Sequence, residues 1–211
     1  SGYAEADPTM DIDGMDTAHK LSILAALAFG MSPDLSGVTV QGIRNITQLD
    51  LQFADELDCR IKLLGVARLT AQGLEQRVGP CLVPKQSPLA HINEAQNAVQ
   101  VRGDFVGDVM LNGLGAGAGP TATAVVADLC DLTYGVKINS FAVPAAQLQR
   151  PFAVGTDAQL SCWYIRLQVK DEPGVVADVA AILRDEKISI ESLLQHGRSA
   201  TAAVTVVITT H

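Results

Sequence analysis

Apolar residues recur at helical spacing between residues 16 and 30, where Leu21, Leu24, Ala25 and Ala28 share a side and Ile23 and Leu27 widen the stripe. Gly30 stands where a helix ends on a left-handed glycine. Asp13 or Asp16 is placed to cap the other end, and acidic residues there also suit the helix dipole. The pattern predicts one helix over 16–30 with that stripe inward.

The rest of the chain alternates between strand and helix periods. A short strand is expected at 38–40, a helix at 47–57 with Thr47 near its cap, and strands at 61–69 and 73–78. Gly79-Pro80 and Pro84 punctuate the next stretch, and residues 88–92 read as a turn or short helix. Strands at 98–102 and 106–111 are joined by Gly103-Asp104, a hairpin signal. A glycine-rich run, 113–119, leads into a helix over about 121–132. Residues 134–155 carry little charge, hold Pro144 and Pro151, and read as a strand-poor linker. Beyond Cys162 a new pattern begins: a strand at 163–169, a turn at 170–174 and a helix at 175–186 with Val176, Val179, Ala180, Ile182 and Leu183 inward. Strands at 188–194 and 201–209 complete it. The expectation is an α+β chain: a first domain over 1–150, with a mostly antiparallel sheet that includes 61–69, 98–102 and 106–111, and a second over 161–211.

Composition narrows the partners. Hydrophobic residues make up 48% and charged residues 18% of 211, enough for a substantial core and against disorder. A net charge of −8 argues against nucleic acid and anionic membrane as partners. The longest apolar run, 21–31, is too short to span a bilayer, and the acidic opening residues lack the apolar core of a secretory signal. Cys59, Cys81, Cys130 and Cys162 are widely spaced, which fits reduced core residues of a cytoplasmic protein better than a disulfide scaffold or a metal site.

The chemistry gathers at the start of the chain. Glu5, Asp7, Asp11, Asp13 and Asp16 crowd a short loop, and the following helix carries Lys20 in its first turns. Asp16 and Lys20 are four apart and share a face. On spacing alone this is a solvated acid–base pair on a capped helix. The otherwise apolar helix points to a second reading, in which Lys20 is drawn into a cleft, held by carboxylates, and able to move a proton. His19, about 100° away on the helix, reads as a surface residue.

The glycine run imitates the strand–glycine loop–helix of a dinucleotide-binding fold. The strand before it belongs to a hairpin, and no strand ending in Asp or Glu follows some twenty residues on, so that assignment is rejected. A tight strand-to-helix turn and a bare backbone that lets a ligand approach closely both remain open.

The opening stretch resembles the signature of homoserine dehydrogenases: an acidic Tyr-x-Glu-x-Asp-Pro loop, then Asp-x-x-Gly-x-Asp-x-x-x-Lys. Glu5, Asp7, Pro8, Asp11, Gly14, Asp16 and Lys20 fill it without a gap. The resemblance continues through Ile-Lys-Leu-Leu-Gly at 61–65, Asn-Ala-Val at 97–99, Gly-Ala-Gly at 115–117 and Pro120-Thr121. The second half, with Asp-x-Pro-Gly opening its helix at 171–174, resembles an ACT domain, a ferredoxin-like amino-acid-binding module cut off at its third strand.

The resemblance implies an NAD(P)-dependent oxidoreductase that interconverts L-homoserine and L-aspartate 4-semialdehyde in threonine, methionine and isoleucine biosynthesis. Glu5 would then hold the substrate ammonium, and Lys20 would hand a proton to the carbonyl oxygen. Asp16 would orient Lys20 and the substrate, Asp11 would line the pocket, and Gly115, Ala116 and Gly117 would close over a nicotinamide of NADP or NAD. Asp7 and Asp13 are left as loop-forming and capping residues. The family's nucleotide-binding domain is not among these residues, so the stretch is expected to be inactive alone. A homo-oligomer formed through the sheet, an amino-acid effector such as threonine at the ACT half, and an ACT edge that recruits another chain are further implications. The competing reading is an amino-acid-sensing ACT module on a non-catalytic scaffold.

Overall fold

The computed structural model describes residues 7–152, 154, 161–197 and 202–211. The chain divides into two compact units with the boundary between residues 156 and 157. Both are α+β with antiparallel pairing dominant.

In the first unit, α1 (Thr9–Ile12) turns sharply into α2 (Met15–Phe29). A short strand β1 (Thr39–Val40) precedes α3 (Gln48–Glu56). The long strands β2 (Cys59–Thr70) and β3 (Gly73–Pro84) form an antiparallel pair, with β1 parallel to β3 on its other side, in the order β1-β3-β2. Thr47 caps α3 as its sequence predicts. Its hydroxyl accepts from the Asp50 N–H, and the Asp50 carboxylate accepts from the Thr47 N–H at 2.7 Å.

Three expectations are corrected here. Strand β3 does not stop at residue 78 but runs through Gly79 and Pro80, with Pro80 opposite Leu63. It can do so because β1 reaches only to Val78, so β3 is an edge beyond it, and an edge tolerates a residue without an N–H. Strands β4 (Gln96–Gly103) and β5 (Gly107–Leu114) do not join the β1-β3-β2 sheet; they form a separate two-stranded hairpin. Alternation identifies a strand but carries no information on which edge it will pair with. The inward face of α2 is also rotated from the expected stripe. Ala18, Leu21, Ser22, Ala25 and Ala26 are buried, while Ile23, Leu24 and Leu27 are exposed. Small side chains let the helix axis approach the sheet closely, and Ala18 and Leu21 pack with Val38, Val78, Leu63 and Ala67.

The hairpin loop spans residues 104–106, and Gly103 pairs with Gly107. α4 (Ala118–Thr133) begins three residues earlier than its pattern predicts, and none of its residues is buried. The segment after α4 is poor in strands, as expected, yet it is tied to the first unit. The Ser32 N–H donates to Gln149 O at 2.8 Å, and the Leu74 N–H donates to Phe152 O at 2.8 Å.

In the second unit, β6 (Tyr164–Lys170), α5 (Val175–Asp185), β7 (Ile190–His196) and β8 (Ala203–Thr210) form an antiparallel sheet in the order β6-β8-β7 under one helix. Leu183, Val206 and Ile208 form its core with Val179, Leu167 and Ile165 around them. Ile182 was expected to point inward but is 64% exposed; it stands at the rim of an apolar groove of about 260 Å³ between α5 and the sheet. Cys130 and Cys162 are exposed rather than in the core, and Cys59 and Cys81 are half-buried. Among the described residues no helix is long and apolar enough to cross a membrane.

Candidate functional site

The corner between α1 and α2 carries the acidic loop. Asp7 folds back on α1: its Oδ1 accepts from the Thr9 hydroxyl at 2.5 Å and from the Thr9 N–H at 3.0 Å. The hydroxyl, and then the N–H, hold the Asp7 carboxyl below the usual carboxylate range. α2 is capped by neither Asp13 nor Asp16. Its N-cap is Gly14 at φ 81°, a left-handed conformation, and a Cβ there would lie 3.0 Å from Val78 Cγ1. Only glycine meets both demands cheaply, and with Asp13 it turns the chain from α1 to α2 in two residues.

Asp13 is therefore freed from capping. Its Oδ1 accepts from Arg44 Nε at 2.5 Å and its Oδ2 from Arg44 Nη2 at 3.1 Å, a two-pronged ion pair. Hydrogen bonding to the guanidinium lowers the Asp13 carboxyl and raises Arg44 in turn. Sequence reading missed Arg44. It lies 31 residues away in an ordinary polar turn, and no local spacing signals the pairing.

Asp16 falls in the first turn of α2 and Lys20 one turn later. Lys20 Nζ donates to Asp16 Oδ2 at 2.5 Å. Lys20 is 58% and Asp16 41% exposed, so this chain by itself does not bury the pair as the apolar helix suggested. The exposed apolar face of α2 explains the difference: the helix is apolar on both sides of the pair, but only one side meets the sheet. Asp11 is exposed on α1, and among the described residues its carboxylate has no hydrogen-bond or ion-pair partner. His19 is exposed, as read. Glu5 lies outside the described residues.

The glycine segment sits elsewhere in the same unit. The Gly115 N–H donates to Ala95 O at 3.0 Å, and Gly117 is the N-cap of α4. A Cβ at Gly115 would fall 1.4 Å from Asn97 Nδ2. The Asn97 amide thus lies directly over the bare backbone, beside a shallow 230 Å³ cavity lined by Leu111, Asn112 and Gly113. A second residue that sequence reading missed supports the base of this hairpin. Lys62 Nζ donates to Ile92 O at 2.5 Å and to Asn93 Oδ1 at 3.1 Å, and burial pushes its ammonium down. Among the described residues no hydrogen bond joins residues 115–117 to Asp16 or Lys20, and no cluster of metal-ligating side chains occurs.

Residues 1–130 match the homoserine dehydrogenase family model, and residues 163–211 match the ACT domain. The chain belongs to the homoserine dehydrogenase family. The homoserine dehydrogenase of Neisseria gonorrhoeae is 44% identical over all of this chain and half of its own length. The crystal structure of a homoserine dehydrogenase from Thiobacillus denitrificans superposes with a TM-score of 0.90 at 42% identity, covering 100% of this chain and 49% of that one. A hyperthermophilic archaeal homoserine dehydrogenase mutant, solved in complex with NADPH, is similar over 64% of this chain and 38% of its own, with a TM-score of 0.50 and 29% identity. The chain spans about half the length of the relatives it matches.

Proposed function

We propose that this chain supplies the substrate-binding, proton-transferring and regulatory parts of an NAD(P)-dependent homoserine dehydrogenase. Residues 1–150 would form the catalytic domain and 161–211 an ACT regulatory domain. The observation that carries the reading is the corner at residues 7–20. It carries an exposed carboxylate, Asp11, on α1 and a carboxylate-bonded ammonium, Lys20 to Asp16, in the first turns of α2, with the left-handed Gly14 between them.

The reaction reduces L-aspartate 4-semialdehyde with a hydride and a proton to L-homoserine, or runs in reverse. A bound nicotinamide, of NADP or NAD, would donate the hydride in its reduced form and accept it in its oxidised form. Gly115, Ala116 and Gly117 would lie against such a ring, with the Asn97 amide that fills the space over Gly115 as the polar group beside it. Lys20 gives its proton to the aldehyde oxygen as that oxygen gains charge, and the ammonium stabilises the developing alkoxide before transfer. Asp16 fixes the Lys20 side chain through their bond and restores its proton from solvent. Glu5 and Asp11 take the substrate ammonium. The direct test is homoserine-dependent reduction of NADP or NAD by the gene product that carries this chain; no reduction with either cofactor would refute the reading.

Glu5 acts on a group that is charged in ground and transition state alike. Glu5→Gln is therefore expected to raise the homoserine KM with kcat nearly unchanged. Initial-rate kinetics at saturating cofactor check this, and a fall in kcat alone would contradict it.

The hairpin and α4 leave Val109, Leu111, Leu114, Val125, Leu129 and Leu132 exposed, Leu132 at 72%. An apolar face of this extent suits a second copy of the chain. The gene product is expected to sediment as a dimer or larger, and Leu129→Asp to shift it towards monomer at micromolar concentration. An unchanged sedimentation coefficient would place the contact elsewhere. The ACT half would bind an amino-acid effector, with threonine the first to test. None of the four cysteines is in a disulfide, which suits a reducing cytoplasm.

A further inference from the structure

The corner that presents Asp11, Asp16 and Lys20 is not held by its own residues alone. Four carboxylates, Asp7, Asp11, Asp13 and Asp16, lie within ten positions, and their mutual repulsion favours an open loop. The turn after β1 opposes this in three ways. The Ile43 N–H donates to Ile12 O at 2.9 Å. Gly42 lies so close that a Cβ there would be 2.6 Å from Ile12 O. Arg44 grips both oxygens of Asp13 and reaches Thr9 Oγ1 at 3.5 Å. The turn is itself fixed to the sheet, since the Gln41 N–H donates to Val78 O at 2.8 Å.

We propose that Arg44 is a positioning residue for the substrate pocket, clamping the α1–α2 corner through Asp13 so that Asp11 is held in fixed register with Asp16 and Lys20. The proposal rests on the homoserine dehydrogenase reading above. Two consequences follow from the geometry. Asp13 has both oxygens occupied, so it does not compete with Asp11 for a substrate ammonium. The clamp also ends one residue before Gly14, so its loss frees α1 and the acidic loop before it disturbs the body of α2, which the sheet holds through Ala18 and Leu21. Arg44 therefore acts on substrate binding more than on the proton step.

Arg44→Met in the gene product that carries this chain is expected to raise the homoserine KM about three- to tenfold, the scale of losing an exposed two-pronged ion pair. kcat and the cofactor KM stay near wild type. Arg44→Lys recovers only part of the loss, because an ammonium cannot span both oxygens. Asp13→Asn in the Arg44→Met background adds little, since the two residues act as one unit. Amide hydrogen exchange supplies a readout that needs no turnover: protection at residues 9–14 falls in Arg44→Met, while that of β2 and β3 is retained. An unchanged homoserine KM, unchanged exchange at 9–14, or an equal loss of all kinetic constants together with a lower Tm would each overturn the proposal. A wild-type protein that leaves homoserine untouched would instead refute the functional reading, and the exchange measurement would still decide the clamp.

Discussion

Lys20→Ala in the gene product that carries this chain is expected to lower kcat for homoserine about 10²–10⁴-fold, the usual worth of a positioned general acid or base. Two losses combine in that substitution. With homoserine as substrate the hydroxyl no longer has a lysine amine to take its proton, and the alkoxide that forms no longer faces a cation. Lys20→Arg separates them. A guanidinium keeps the charge but neither takes up nor releases a proton, so a variant that regains little activity assigns the effect to proton transfer. A variant that regains most of it assigns the effect to charge. Pre-steady-state kinetics with saturating homoserine and cofactor make the measurement, so that slow product release does not hide a change in the chemical step. The homoserine KM should change less than kcat, because Glu5 and Asp11 hold the substrate ammonium. Near-normal kcat in Lys20→Ala would reduce Lys20 to what its surroundings in this chain otherwise resemble: the exposed partner of Asp16, worth at most about 1 kcal/mol of helix stability.

Phe53→Ala is expected to have the largest effect on stability. Phe53 is 1% exposed on the inner face of α3, beside Ala54 and the capping residue Asp50, and is among the largest fully enclosed side chains of the first unit. Truncation removes a ring's worth of buried area and leaves a void that a short capped helix on a two-layer core cannot collapse into. Such substitutions cost about 3–5 kcal/mol. For a domain of this size each kcal/mol moves Tm by roughly 2–4 °C, so a fall of about 6–20 °C is expected by calorimetry or circular dichroism. Leu51→Ala, on the exposed face of the same helix, is the control and should stay within about 0.5 kcal/mol of wild type. Equal effects of the two would mean that α3 is seated on its other face.

What could be read from the sequence was what neighbouring residues decide among themselves. The Thr47 cap, the left-handed Gly30 and the existence of the β4–β5 hairpin depend on spacings of two to five residues, and the structure has each of them, the hairpin with its turn moved to residues 104–106. The candidate residues could be nominated for the same reason. Glu5, Asp11, Asp16 and Lys20 lie within sixteen consecutive positions, so their motif survives as a string, and the four-residue spacing of Asp16 and Lys20 puts them within bonding reach on any helix.

Packing decided the rest. α2 is apolar around most of its circumference, so periodicity could not set which side faces inward. Steric fit chose the side of Ala18, Ala25 and Ala26, because small residues bring the helix closest to the sheet. Gly79-Pro80 looks like a break until β1 is seen to end at Val78, which leaves β3 an edge where proline costs little. Arg44 is brought to the corner only through a contact 31 residues long, and Gly14 stands in place of the expected aspartate cap because the backbone there is left-handed and Val78 crowds the Cβ position. Each of these depends on distances between segments that no local spacing encodes. The sequence alone therefore determined which residues could do chemistry, and the tertiary structure decided what holds them in place.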